Sequence, residues 1–343
     1  MGETLRCYDI NGQGLTMAAL ARAPADLLDP ILAPFAVTAG GATDCRIAVQ
    51  LVEALPPAPR GPFRWQGKLP EGPEASLVHR DGRRILHAQG HYEVSLRDSA
   101  EAGDIALRPG SAGLLAATAG FWLLGHILGA RGRHLVHAAC LVKGGTEDAI
   151  LLFAPSGTGK TTTALALARH GYRLAGDDAA VFELGAAGPR AWAFPRSVRI
   201  HSQTADLLPW VRLALPARGE GQAQTIALPA LAGLVGCVDS RQRRCAGLAV
   251  LEPPNGEAHR AAPLDKTEAA LSILGDNLRQ PPGGLDASGQ RLFAALVDLV
   301  TALPAIAISV GPDPSTLDPA LLEEAWRRAG TNPRNSGSKL QCQ

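Results

Sequence analysis

The pattern of apolar and polar positions changes character about a third of the way along the chain. Residues 1–110 alternate over short stretches, among them Ile47 to Leu55, and two stretches meet at Asp81-Gly82, a residue pair suited to a tight hairpin turn. This period of two predicts a β-rich N-terminal domain over 1–110. Pro56, Pro57, Pro59 and Pro62 crowd one connection and predict a stiff loop. Gly113 to Ala130 then runs without a formal charge, near the shortest length that spans a bilayer. His126, the glycines at 113, 120, 125 and 129, and the stop at Arg131 and Arg133 favour a buried helix beside a sheet. From Leu135 onward, apolar runs alternate with helical patterns. Strands are predicted at 135–142, 149–153, 191–194, 234–238, 248–251 and 305–310, with helices at 267–278 and 319–328. This alternation predicts an α/β domain over 111–330. The polar tail, 331–343, is predicted to be flexible.

Composition narrows the partners. The 343 residues carry 33 Lys and Arg against 32 Asp and Glu, a net charge of +1 that sets up no global field to attract nucleic acid or an anionic membrane. Any anion must be bound locally. The six cysteines, Cys7, Cys45, Cys140, Cys237, Cys245 and Cys342, have neither CxxC spacing nor the density of a disulfide framework. With no basic-then-apolar leader at Met1 to Arg6, a cytoplasmic location is expected.

The sharpest local signal is Ala154-Pro155-Ser156-Gly157-Thr158-Gly159-Lys160-Thr161-Thr162, between the apolar run Ile150 to Phe153 and the helical Thr163 to Ala168. A strand, a glycine loop and a helix in this order make a phosphate site. Gly157 and Gly159 let backbone N–H groups turn inward, and the helix start adds its positive end. Ser156, Gly157, Thr158, Gly159, Lys160, Thr161 and Thr162 are therefore the candidate nucleotide contacts, Lys160 reaching the β and γ phosphates and Thr161 the Mg²⁺. Ala154 departs from the usual GxxxxGK[ST] pattern, standing where its first glycine falls.

Two acids follow. A helix ending at Gly171 and one short strand would return Asp177-Asp178 to the loop. Neighbouring side chains on a strand point opposite ways, so one carboxylate could hold Mg²⁺ while the other accepts a proton from an attacking hydroxyl. His137, in Leu135-Val136-His137-Ala138-Ala139, is placed on the strand that enters this core. By itself it reads more readily as a structural histidine than as a functional one.

In this order and spacing, residues 135–183 resemble the HPr kinase/phosphorylase family and the wider group of HPr-kinase-related serine kinases, whose core is similar to phosphoenolpyruvate carboxykinase. Phe194-Pro195-Arg196 looks like a segment of the related kinases, while the N-terminal third matches only loosely. The resemblance implies a P-loop α/β core that uses ATP and Mg²⁺. It also implies Asp177 as general base, Asp178 with Thr161 as Mg²⁺ ligands, and His137 near the phosphates. Arg196 would stabilise the transferring phosphoryl group or bind an acceptor carboxylate.

The acceptor expected from the resemblance is a serine hydroxyl on a peptide or small protein, with the C-terminal serine of a lasso-peptide precursor as leading candidate. The rival is an ATPase or nucleotide-dependent binding switch; the chain has no guanine-reading NKxD motif. Carboxykinase-like metabolism fits less well, there being no dedicated metal cluster in the sequence. A homo-oligomer is compatible with the resemblance. The basic run Arg241 to Arg244 reads either as a solvated hairpin tip or as an attractor of acidic peptides.

Overall fold

A computed structural model describes residues 2–38, 43–70, 72–215, 223–254, 256–278 and 285–331. Of the predicted tail, only the backbone of Thr331 falls among them, as the end of the last helix. The chain divides into two units, Met1–Arg133 with Gln280–Gln290 and His134–Arg279 with Arg291–Gln343, each built on a nine-stranded sheet. It is a mixed α/β protein.

The first sheet uses β1 (Thr4–Asp9), β2 (Gly14–Ala19), β3 (Ala36–Val37), β4 (Cys45–Leu51), β5 (Phe63–Lys68), β6 (Glu74–Arg80), β7 (Arg83–Ala88), β8 (Tyr92–Arg97) and β9 (Ala102–Leu107), in the order β3-β1-β2-β4-β9-β8-β7-β6-β5. From β5 to β9 it is an antiparallel meander. The alternation is visible in β8, where Tyr92, Val94 and Leu96 are buried. Arg80 pairs with Arg83 across Asp81-Gly82, both at positive φ (53° and 67°), the two-residue turn expected there. Strand β4 stops at Leu51 rather than Leu55, because the chain bends at Glu53-Ala54 before prolines that have no N–H for a ladder.

The charge-free segment forms two helices, α2 (Ala112–Thr118) and α3 (Gly120–Gly129), not the single one expected. α1 (Asp29–Leu32) precedes them in the chain. The two helices meet at 55°, and among the described residues no single helix is long and apolar enough to cross a membrane. The bend has a packing cause: a Cβ on Gly120 would stand 2.6 Å from Ile31 Cδ1. Tyr92 and Thr118 hydroxyls are 2.6 Å apart, and Gln13 Nε2 donates to the Ile127 carbonyl at 2.9 Å. Both helices thus pack on the first sheet. That moves the division between the units from the expected 110/111 to after Arg133.

The second unit contains β10 (Arg133–Val136), β11 (Ala139–Val142), β12 (Ala149–Phe153), α4 (Lys160–Arg169), β13 (Arg173–Gly176), β14 (Ala180–Gly185), β15 (Gly188–Ala193) and β16 (Val198–Ile200). After these come α5 (Ser202–Leu207), β17 (Gln224–Ile226), α6 (Leu228–Leu231), β18 (Arg243–Leu251), β19 (Arg260–Pro263), α7 (Lys266–Asn277), α8 (Ala287–Ala302, which begins in the first unit and enters the second at Arg291), β20 (Ala305–Ser309) and α9 (Pro319–Thr331). The main path is β10-β14-β15-β18-β12-β11-β13, with β20 on β18 and β19 on β20. β12, β20 and the part of β18 from Cys245 to Leu251 run parallel and, Ser309 aside, are apolar, as strands covered on both faces must be. One buried cluster packs α4 and α9 on one face, and another packs α7 and α8 on the other.

Three strand expectations change. The run 135–142 is two strands broken at His137-Ala138. The run 234–238 makes only a bridge from Cys237 to Leu174, its pairing confined by Gly236, where a Cβ would lie 2.9 Å from the Arg173 side chain. β18 begins at Arg243, inside the basic run.

That run is neutralised within the protein. Arg243 is buried and binds Glu147 at 3.0 Å and Asp239 at 2.7 Å; Arg241 also reaches Glu147, and Arg244 pairs with Asp148. Arg173 completes the cage around Glu147. Hydrogen bonds from Arg173 and Arg243 are the main reasons that the Glu147 carboxyl is held down at about 2. A depressed carboxylate stabilises the fold above its ordinary pKa of 4.5, and that contribution is lost as pH falls toward 2. Melting curves between pH 6 and 2 should therefore fall more steeply for the wild type than for Glu147→Gln; parallel curves would remove Glu147 from the acid response.

Candidate functional site

The site is assembled where β12 gives way to α4. Ile150 to Phe153 are buried in the middle of the sheet, so the chain can leave it only at the strand end. Ala154 is also buried and takes no positive φ, so the methyl group where the usual pattern has glycine costs no strain. The turn closes on Pro155, whose carbonyl accepts from Thr158 N–H at 3.1 Å and Thr158 Oγ1 at 2.7 Å. Gly157 (φ 82°) and Gly159 (φ 99°) occupy the left-handed region that a side chain would strain. Gly159 caps α4, whose first N–H groups have no partner within the helix. Ser156 and Gly157 are exposed, leaving the loop open to solvent.

α4 ends at Arg169, Gly171 (φ 109°) turns the chain, and β13 carries it back to Asp177-Asp178. Here the local geometry differs from a simple strand. β13 stops at Gly176, and Asp178 has a left-handed backbone (φ 66°), so the two carboxylates do not alternate. Both face Lys160. Its Nζ hydrogen-bonds Asp178 Oδ1 and lies 3.4 Å from Asp177 Oδ1. Thr161 Oγ1 donates to Asp177 Oδ2 at 2.6 Å.

The two acids are in unlike surroundings. Asp177 is 3% exposed, and burial raises its carboxyl above the ordinary range against the pull of Lys160, with the charge of Asp178 raising it further. Asp178 is 38% exposed; burial raises its carboxyl too, but Lys160, then His137 and Arg196, outweigh that and hold it low.

The remaining predicted residues divide. His137 is not on a strand but in the break between β10 and β11, where its N–H donates to Asn277 Oδ1 at 2.7 Å and its Nδ1 stands 3.8 Å from Asp178 Oδ1. Arg196 is exposed, and its charge acts on Asp178. It is brought there by close approach: Phe194 N–H donates to the Ala179 carbonyl, and a Cβ on Gly176 would sit 2.7 Å from the Phe194 carbonyl oxygen. Thr162 is different. Its hydroxyl is buried 2.9 Å from that of Thr204 on α5, so it anchors the helix and only its backbone faces the loop.

Asn277, Thr204 and Gly176 position the site, and no motif pointed to them. Their partners lie 140, 42 and 18 residues away in the chain for Asn277–His137, Thr204–Thr162 and Gly176–Phe194 (194 − 176). What emerges is an open loop of backbone donors, one buried lysine and a hydroxyl–carboxylate pair beside a more accessible carboxylate.

No family model and no curated protein matches the chain. Among solved structures, the HPr(Ser) kinase/phosphatase from Coxiella burnetii is similar over 57% of this chain and 95% of that one, with 19% identity and a TM-score of 0.30. A likeness of that size adds nothing to what the residues themselves say.

Proposed function

We propose that the chain is an ATP- and Mg²⁺-dependent phosphotransferase that acts on a serine hydroxyl of a peptide or small protein. The observation that carries this reading is Lys160, held between Asp177 and Asp178 at the mouth of the glycine loop, with His137 and Arg196 at the same accessible carboxylate. A site for phosphate alone needs no acid on its lysine. An acid there can take a proton from an attacking hydroxyl or from water, and the resemblance of the sequence favours the hydroxyl.

The loop N–H groups and the start of α4 bind phosphate oxygens, and Lys160 moves from the carboxylates to the β and γ phosphates. Thr161 and Asp177 would offer oxygen donors, which suits Mg²⁺, a hard cation that takes one or two carboxylates and leaves room for phosphate. Bound there, the ion neutralises charge on the phosphates. The acids then divide the work in the opposite way from the sequence expectation. The burial of Asp177 and its bond to Thr161 support the metal side, while the exposure of Asp178 supports activation of the hydroxyl.

Asp178 accepts the hydroxyl proton as the serine oxygen bonds to the γ-phosphorus and the bond to the β-phosphate oxygen breaks, leaving ADP and a phosphoserine. Release of Lys160 to the phosphates removes the main influence that holds the Asp178 carboxyl low, which makes it a better base at the moment it is needed. His137 and Arg196 then stabilise charge at the transferring group.

The acceptor is proposed from the resemblance of the sequence: the C-terminal serine of a lasso-peptide precursor first, a small carrier protein second. Incubation with γ-labelled ATP, Mg²⁺ and paired peptides ending in serine or alanine tests it. Label on the serine peptides alone is expected. Phosphate release that is indifferent to peptide would instead identify an ATPase or switch.

A further inference from the structure

β5 closes one end of the first sheet and pairs with β6 alone. Its other edge presents backbone N–H and C=O groups to no strand among the described residues, which is a template for an added strand. Pro62, Lys68 and the register shift between Phe63 and Trp65 are devices that guard an edge, yet Phe63 and Trp65 are exposed at 42% and 37% on this one.

Charge is uneven here as well. Between Glu53 and Glu71, residues 54–70 contain Arg60, Arg64 and Lys68 and no Asp or Glu, in a chain whose net charge is only +1. Arg60 and Lys68 are exposed and Arg64 is half-buried. Among the described residues none of the three makes an ion pair; Glu74 stands opposite Lys68 in register without closing one, and Arg64 acts at longer range on Asp286.

We propose that β5 is a docking edge for an extended acidic segment of a partner polypeptide, which joins the sheet as a further strand. Backbone pairing gives affinity, carboxylates meet Arg60, Arg64 and Lys68, and apolar residues cover Phe63 and Trp65. A second copy of this chain is the competing occupant, and charge argues against it, because pairing β5 with β5 sets two basic edges together. The docking edge stands independently of the phosphotransfer reading.

The test uses the full chain and a fluorescein-labelled dodecapeptide of alternating glutamate and valine, read by anisotropy. A lysine–valine peptide and a glutamate–valine peptide N-methylated at alternate residues serve as controls. Binding of the glutamate peptide should weaken with salt, weaken about tenfold in Arg64→Glu/Lys68→Glu, and be lost on N-methylation. Trp65→Ala, with an unchanged far-UV circular dichroism spectrum, should weaken it too. Absence of binding, or equal binding of either control peptide, would overturn the proposal. So would a wild-type dimer in sedimentation that Trp65→Ala dissolves, since that assigns the edge to a second copy.

Discussion

Lys160→Met is expected to cut phosphoryl transfer steeply and, less obviously, to lower the melting temperature of the protein without any ligand. Transfer should drop by roughly 10³-fold, the scale on which one electrostatic group at a reacting centre acts. The stability effect follows from what the lysine leaves behind. Lys160 and Asp177 are 6% and 3% exposed, so removing the cation strands a buried carboxylate beside a second acid. Breaking such a pair costs about 3 kcal/mol, or about 6–12 °C in a unit of this size. The deficit should narrow from pH 8 to pH 5. Burial raises the Asp177 carboxyl against the pull of Lys160, so losing the lysine raises it further, and a group with a raised folded pKa favours the fold more as pH falls. ATP with Mg²⁺ should raise the wild-type melting temperature and leave the variant unmoved. A variant that melts like the wild type at pH 8 would show that Lys160 does not neutralise the acids.

The second large effect separates the two acids. Asp178→Asn should lose roughly 10² to 10⁴-fold in transfer, the range for a missing general base, while keeping the thermal shift on adding nucleotide. Asp177→Asn should need far more Mg²⁺ for half-maximal transfer, yet recover much of its rate when the ion saturates. A Mg²⁺ titration of transfer for both variants, with peptide and ATP fixed, decides the matter. Recovery of Asp178→Asn by Mg²⁺, with Asp177→Asn inert at every concentration, would restore the sequence-based assignment.

The parts legible in sequence are those whose geometry is local. Ile150 to Lys160 encodes strand, loop and helix within one short run, because the glycines and the lysine must be contiguous. Asp81-Gly82 announces its hairpin for the same reason. The helix Ala287–Ala302 was missed: it follows Pro281-Pro282-Gly283-Gly284, which hides its start, although Leu292, Leu296, Leu299 and Val300 supply its inward face. In the site, residue identities were legible and roles were not. Whether Asp177 or Asp178 is buried depends on where β13 ends and on one backbone angle, and neither leaves a mark in composition or period. The break at His137 depends likewise on Asn277, far along the chain.

The left-handed backbone of Asp178 has a consequence for how this site can decay. Asparagine and glycine are the residues that enter that region most easily, whereas glutamate is longer and prefers other angles. Replacement by another acid is therefore poorly tolerated, and the replacements the turn accepts carry no carboxylate. Drift at this position separates shape from chemistry: asparagine or glycine would keep the turn and remove the carboxylate, so on the proposed reading pseudoenzymes are the natural by-product of this turn.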